Sequence, residues 1–136
     1  MALWERCGLT RPWNDPLADI ALARGKRTSE VLVGRRDGRV VASAMVGTDG
    51  HRAWVYYLSV DPASARQGLG RKMMQACEAW ALEHGAPKIQ LMVRKGNAET
   101  IGFYRAIGYQ LEETVILGKR FDGRSWDTAK DLDAQG

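Results

Sequence analysis

The chain has 136 residues and a formal net charge of +4, with 45% hydrophobic and 26% charged residues. This length suits one domain with a sizeable core, and two cysteines, Cys7 and Cys77, are too few for a disulfide framework or a zinc site, so no metal is expected. No apolar run is long enough to span a bilayer and no signal peptide is visible, which predicts a cytoplasmic protein without a membrane partner. The small positive net charge suits an anionic small ligand, although a weak nucleic-acid binder would have a similar charge.

The first part of the chain is predicted to hold short helices and a stiff loop. Residues 3–7 are apolar and compatible with a helix, but no capping residue precedes them. In the loop at 10–16, Asp15 and Pro16 have the order of an N-cap and a first helical residue, so a short helix is expected to follow and to end near Gly25. The basic residues at 26, 27, 35, 36 and 39 form either a basic patch or, as we favour, solvated strand ends and a turn.

Three antiparallel strands are predicted next, at residues 31–34, 39–46 and 52–60. The dipeptide Asp37-Gly38 is typical of a tight hairpin turn, and Asp49-Gly50 marks a second turn. A helix follows the third strand and is expected to reach about His84, with Gly85 and Pro87 ending it. Its apolar stripe is formed by Leu69, Met73, Ala76, Cys77, Trp80 and Ala81.

A second strand and helix complete the predicted fold. Residues 88–93 form a strand parallel to the one that ends at Val60, because the helix between them acts as a crossover. Asn97 caps a helix that runs to Ile107 and stops at Gly108. Strands at 109–113 and 115–121 follow, and 122–136 is a polar tail outside a single domain of residues 1–121. The predicted class is α/β (α+β), with a mixed, mostly antiparallel central sheet, a parallel strand pair and flanking helices.

The turn between the third strand and the first long helix is the strongest candidate for a ligand site. Gly68 and Gly70 let the backbone approach a ligand, and the helix N-terminus presents N–H groups to phosphate or pyrophosphate. Arg66 and Arg71 flank the turn and add charge-assisted contacts. A plain strand-to-helix connection also needs glycine. Neither a dinucleotide fingerprint nor a triphosphate loop fits, because Met73 replaces the third glycine and no Gly-Lys-Ser or Gly-Lys-Thr occurs.

Two motifs together resemble the GNAT acetyltransferase superfamily across residues 31–121. Val60-Asp61-Pro62 followed by Gln67-Gly68-Leu69-Gly70 is similar to the family's CoA-binding segment, with Ala65 at its leading Arg/Gln position. Asn97 to Tyr109 resembles the family's Asn-x₆-Tyr-x₃-Gly-Phe/Tyr segment. Segments 4–7, 11–16 and 49–52 further resemble the YpeA-like bacterial subgroup. The family usually opens with another strand and helix, so the N-terminal strand is expected to be missing from this chain.

The resemblance implies acetyl-CoA as cofactor and assigns residues to it. Where two parallel strands splay apart, main-chain groups become available to the pantetheine arm, and a strand N–H near Leu58 would polarise the thioester carbonyl. Tyr104 lies beside the cofactor's sulfur in this scheme and is the candidate general acid for the departing thiolate. The implied cofactor-binding set is Leu58, Ser59, Val60, Arg66, Gln67, Gly68, Leu69, Gly70, Arg71, Asn97 and Tyr104.

The residues that would handle the amine acceptor are less defined. Many family members place a glutamate on the fourth or fifth strand, where this chain has Tyr56, Tyr57 and Met92. His51 has a suitable unperturbed pKa for a base, but a surface role in its turn is equally expected, and a water chain could also remove the proton. Trp13, Asn14 and Asp15 form a candidate acceptor wall; the alternatives are a core plug for Trp13 and a helix cap for Asp15.

These observations predict an acetyl-CoA-dependent N-acetyltransferase that moves an acetyl group to a primary amine of a small molecule or peptide through a direct ternary complex. The alternative is a non-catalytic acyl-CoA sensor or regulatory module, which the missing carboxylate motivates. A weak nucleic-acid binder ranks last, because the chain has no helix-turn-helix or exposed stacking aromatics, so no nucleic-acid partner is expected. A homodimer is compatible with all of these readings.

Overall fold

The computed structural model describes residues 3, 17, 20, 27–65 and 67–123. Their four-stranded sheet has the order β1-β2-β3-β4, antiparallel except for the parallel pair β3 and β4. The predicted fold class, including the antiparallel trio and the parallel strand pair, is confirmed. The strands are β1 Ser29–Arg36, β2 Arg39–Thr48, β3 Ala53–Val60 and β4 Ile89–Leu91, and the α-helices are α1 Leu69–Glu83 and α2 Ala98–Ala106.

Turn chemistry explains the three antiparallel strands. Asp37 and Gly38 both have positive φ angles, 53° and 76°, as a two-residue type I′ hairpin turn requires. In the turn between β2 and β3, Asp49 Oδ1 accepts hydrogen bonds from the backbone N–H groups of His51 and Arg52, at 2.8 and 2.7 Å. These two bonds lower the pKa of Asp49 and hold the turn in one shape.

The core lies between the sheet and α1. Residues 41–46 of β2 are all buried, so both faces of the central strand are covered. On one face, Ala44 and Val46 pack with Met74 and Cys77 of α1, and Met74 alone contributes roughly 1.5–3 kcal/mol by its burial. On the other face, Met45 packs against Ile20, Val31 and Tyr57. The predicted stripe is wrong at one position, because Ala76 is exposed and Met74 takes its place.

Helix α1 ends, and helix α2 begins, as the sequence predicts. Gly85 has a φ of 76° after the C-cap His84, and the N–H of Ala86 donates to the carbonyl of Ala81 at 3.0 Å, which together form a Schellman motif. At the start of α2, Asn97 Oδ1 accepts a hydrogen bond from Thr100 N at 3.3 Å, so the predicted cap is confirmed.

The two C-terminal strands are not formed, so their prediction is wrong. Residues 109–123 contain no strand, and the predicted strand 88–93 is reduced to Ile89–Leu91. A strand of three residues offers little edge for pairing, and a two-stranded hairpin without a packed face is only marginally stable. The apolar side chains of Val115 and Leu117 are accordingly 87% and 92% exposed. Glu112 contacts Lys88 and Gln90, so the segment stays beside β4 at that point.

Some predictions fall outside the described residues. These are the loop at 10–16, most of the two N-terminal helices, the expected lack of an N-terminal strand, Arg66 and nearly all of the polar tail. Leu3 and Ile20 are described as helical, Leu3 buried and Ile20 half-buried. No helix in the described part of the chain is long and apolar enough to cross a membrane.

Candidate active site

Strand β3 carries an irregularity at the position where the cofactor was expected. Tyr57 and Leu58 lie opposite the single residue Ala44 of β2, so β3 contains one extra residue. This is a β-bulge, and it gives Tyr57 a φ of 55°, which is unusual for a residue other than glycine. Ser59 is buried, and its hydroxyl donates to the carbonyl of Tyr57 at 2.8 Å. The bulge therefore re-aims the second half of the strand.

The parallel strands part just before this bulge. The ladder between β3 and β4 ends at the pair Val55–Leu91, whereas β3 itself continues to Val60. Residues after Leu91 have left strand geometry. The predicted splayed strand pair is thus present, and the predicted cofactor residues Leu58 and Val60 lie on the part of β3 beyond the parting.

The Gly68 loop, residues 61–68, joins β3 to α1. Gly68 is the N-cap of α1 with a φ of 75°, and a Cβ atom built there would meet nothing within 4 Å. No side chain caps the helix, and its first turn contains no acidic residue. Among the described residues, no side chain therefore competes for the N–H groups at the positive end of the helix, as the predicted anion site requires.

Gly70 has a packing role in addition to the one that its motif suggested. A Cβ atom at this position would lie 3.1 Å from Cζ of Phe103 on α2, which is closer than side chains normally pack. Gly70 therefore allows the start of α1 to approach α2. Of its neighbours, Leu69 is half-buried and Arg71 is exposed. Gln67 is also exposed, and its side chain accepts a hydrogen bond from Arg36, the last residue of β1.

Asp61 anchors the Gly68 loop and was not singled out from the sequence. Its side chain is buried, and Oδ2 lies 3.2 Å from Nη2 of Arg39. Oδ1 accepts from Ala63 N at 3.1 Å, and the backbone N–H of Asp61 donates to Val41 O at 2.8 Å. The order Asp61-Pro62 could have indicated the local cap. The partner Arg39 lies 22 residues away, and no local pattern indicates it.

Tyr104 lies inside the cluster that the two motifs bring together. It is 8% exposed and belongs to the packed core that also contacts Leu58 and Val60. Burial, and secondarily the neighbouring Cys77, raises the pKa of Tyr104 to about 12. The phenol is therefore protonated at neutral pH, the form that a general acid requires.

The tyrosine ring is held by a second aromatic residue. The ring of Tyr109 meets that of Tyr104 edge-on, with centroids 5.7 Å apart, and Tyr109 Oη donates to Oε2 of Glu78 on α1 at 2.6 Å. These three residues also line a cavity of about 820 Å³ between β4, α2 and the segment that follows α2. Tyr109 was recognised only as a motif position, and Glu78 not at all.

The acceptor candidates that the structure describes lie in the turn before β3 and along β3. His51 lies in the turn before β3, whereas the Gly68 loop begins after the opposite end of β3. The eight residues of the strand separate the two by roughly 25 Å. Tyr56 is 42% exposed, and Tyr57 packs against Met45. Trp13, Asn14 and Asp15 lie outside the described residues. Asn97 is exposed and caps α2, and within the part of the chain that is described no cluster of side chains could hold a metal ion.

Comparison with known proteins identifies the family. The sequence model of the acetyltransferase (GNAT) family matches residues 1–109. An acetyltransferase of Pectobacterium atrosepticum is 41% identical over 120 residues, which are 88% of this chain and 85% of that protein. An acetyltransferase of Yersinia pestis (strain Pestoides F) is 40% identical over 118 residues, 87% and 84% of the two chains.

Solved structures agree at the level of the fold. An aminoglycoside N-acetyltransferase in complex with CoA superimposes with a TM-score of 0.74 at 16% identity, covering 88% of this chain and 84% of that one. The Gly68 loop, the splayed strands and the buried Tyr104 are thus found in a chain whose sequence matches one family over most of its length. The protein belongs to the GNAT family and is an N-acetyltransferase that uses acetyl-CoA.

Proposed function

We propose that the protein transfers an acetyl group from acetyl-CoA directly to a primary amine within one ternary complex. The observation that carries this proposal is the parting of β3 from β4 after Val55: the part of β3 beyond it carries Leu58 and Val60, which pack in one cluster with Tyr104, and leads into the Gly68 loop. One region of the molecule thereby offers strand backbone, an anion site and a protonated phenol.

The chain's own residues fit acetyl-CoA, which supplies the activated acetyl thioester. The main chain of Leu58, Ser59 and Val60 would pair with the pantetheine arm, and the N–H groups that open α1 would bind the pyrophosphate. Gln67, Leu69 and Arg71 flank that site. In this assignment a backbone N–H near Leu58 would stabilise the negative charge that develops on the carbonyl oxygen.

Tyr104 is proposed as the general acid. Its Oη would hold the proton that the departing sulfur needs. A phenol is protonated at neutral pH, and the raised pKa of Tyr104 keeps it protonated into the alkaline range. General acid catalysis of this kind is worth about 10²–10⁴ in rate. We assign no general base, because the chain has Tyr56, Tyr57 and Met92 where many family members have a glutamate, and His51 lies at the far end of β3. Water would carry the amine's proton to solvent.

The acceptor is proposed to be a small-molecule amine. The CoA-bound structural neighbour is named for an aminoglycoside, and another structure contains a bisubstrate analogue of CoA and acetylneamine; both names support a small-molecule amine as the acceptor here. Trp13, Asn14 and Asp15 stay our prediction for the acceptor wall. A single domain at 1–121, a cytoplasmic location, a homodimer and the lack of nucleic-acid or membrane partners also stay predictions.

An amine panel tests the proposed function. The purified protein is incubated with acetyl-CoA and one of several amines, namely aminoglycosides, amino acids, small polyamines or peptides, and free thiol is measured with time. We expect at least one small amine to raise thiol release well above hydrolysis without amine. Tight binding of CoA without amine-dependent thiol release across the panel would contradict catalysis and favour the acyl-CoA sensor.

A further inference from the structure

The environment of Tyr104 contains an arrangement that the proposed mechanism does not use. Tyr109 contacts Tyr104 twice: its backbone N–H donates to the carbonyl of Tyr104 at 3.0 Å, and its ring packs edge-on against the Tyr104 ring. The first contact belongs to the end of α2 and holds the main chain. The ring contact restricts the movement of the Tyr104 side chain, because the Tyr109 ring occupies the space into which the Tyr104 ring would otherwise turn.

Tyr109 is itself fixed to a different helix. Its hydroxyl donates to Oε2 of Glu78 at 2.6 Å, across a sequence separation of 31 residues, and both side chains are partly buried. Burial, followed by this hydrogen bond, raises the pKa of Tyr109, so the hydroxyl keeps its proton at neutral pH and can donate to Glu78. A hydrogen bond to a charged acceptor is shorter and stronger than one between neutral groups.

We propose that Tyr109 is a positioning residue for Tyr104 and that Glu78 on α1 anchors it. Glu78 on α1 holds the Tyr109 hydroxyl, and the Tyr109 ring packs against the Tyr104 ring. Helix α1 therefore helps to orient the Tyr104 side chain, which belongs to α2. This inference rests on the proposed role of Tyr104 as general acid. Proton transfer depends steeply on the placement of the donor, so a small loosening of the ring should slow the reaction without weakening cofactor binding.

Three variants separate the parts of this arrangement. Tyr109→Phe removes only the hydroxyl and keeps the ring contact and the backbone hydrogen bond. Glu78→Leu removes the acceptor, whereas Glu78→Gln keeps an oxygen at the same place and is the conservative control. We expect Tyr109→Phe and Glu78→Leu to lower kcat by about 3- to 10-fold at unchanged KM for acetyl-CoA. Glu78→Gln should recover most of the loss.

A double-mutant cycle with Tyr104→Phe distinguishes positioning from a general structural effect. If Tyr109 acts through the Tyr104 hydroxyl, Tyr109→Phe should lower kcat in the parent protein but change it little once that hydroxyl is absent. The same loss in both backgrounds, or no loss in the parent, would overturn the positioning role while leaving the acid role intact. Turnover of Tyr104→Phe equal to the parent's would instead refute the acid role, and this proposal with it. Should Tyr109→Phe fold poorly, Glu78→Gln and Glu78→Leu complete the same cycle.

Discussion

Replacing Gly68 with aspartate should remove the anion site while leaving the fold intact. Gly68 has a φ of 75°, so a side chain there strains the backbone by roughly 1–2 kcal/mol, and a Cβ atom would meet only open space. A carboxylate about 5 Å from a phosphate, at an effective dielectric constant of about 20, is repelled by about 3 kcal/mol. That repulsion corresponds to a roughly hundred-fold weaker Kd for CoA.

The assay is the rise in melting temperature that CoA causes at low ionic strength, where the repulsion is least screened. Gly68→Asn is the matched control, because it imposes the same strain without charge and should keep most of the shift. Gly50→Asp adds strain and charge at the other end of β3, where φ is 89° and the space is also open, and should keep the parent's shift. A folded Gly68→Asp protein with the parent's CoA shift would refute the placement of the pyrophosphate.

Two further predictions concern the core. Gly70→Ala should destabilise the protein by roughly 1–3 kcal/mol in urea unfolding, because the new Cβ would lie 3.1 Å from Phe103. The second substitution Phe103→Leu should restore part of the lost stability. A Gly70→Ala protein as stable as the parent would contradict this packing. Burial raises the pKa values of Cys77 from 9.0 and of Tyr104 from 10.0 to about 12, so the native state disfavours their ionisation. The contribution of these two groups to stability should therefore be constant below pH 9, and stability should decrease as the pH rises from 9 towards 12. Equal stability in urea unfolding at pH 8 and pH 10.5 would disprove this prediction.

Local patterns explain most of the fold that could be predicted. The Asp37-Gly38 turn, the Asn97 cap and the Gly85 helix end depend on a few neighbouring residues, and all three are present in the structure. The strands predicted at 109–113 and 115–121 failed because strand propensity needs a partner edge, and β4 is too short to provide one. The apolar residues there match the strand pattern equally well whether or not a partner exists.

The candidate site could be predicted only in part, for the same reason. Gly68 and Tyr104 stand at motif spacings, so the sequence indicates them. The bulge at Tyr57 and the contact of Gly70 with Phe103 depend on how strands and helices meet, and neither leaves a local pattern. The hydrogen bond from Tyr109 to Glu78 joins residues 31 positions apart, and a single sequence contains no sign of such a pair.

General acid catalysis by Tyr104 is tested most directly by the turnover of Tyr104→Phe with an amine that the panel identifies, measured from pH 6 to pH 10. Loss of the hydroxyl should lower kcat by roughly 10- to 1,000-fold and leave KM for acetyl-CoA and the CoA melting shift unchanged, because the ring still packs. The parent should show no alkaline loss of kcat that belongs to Tyr104 below pH 10, since burial raises the pKa of that residue to about 12. A Tyr104→Phe protein with the parent's kcat across this range would contradict general acid catalysis by Tyr104.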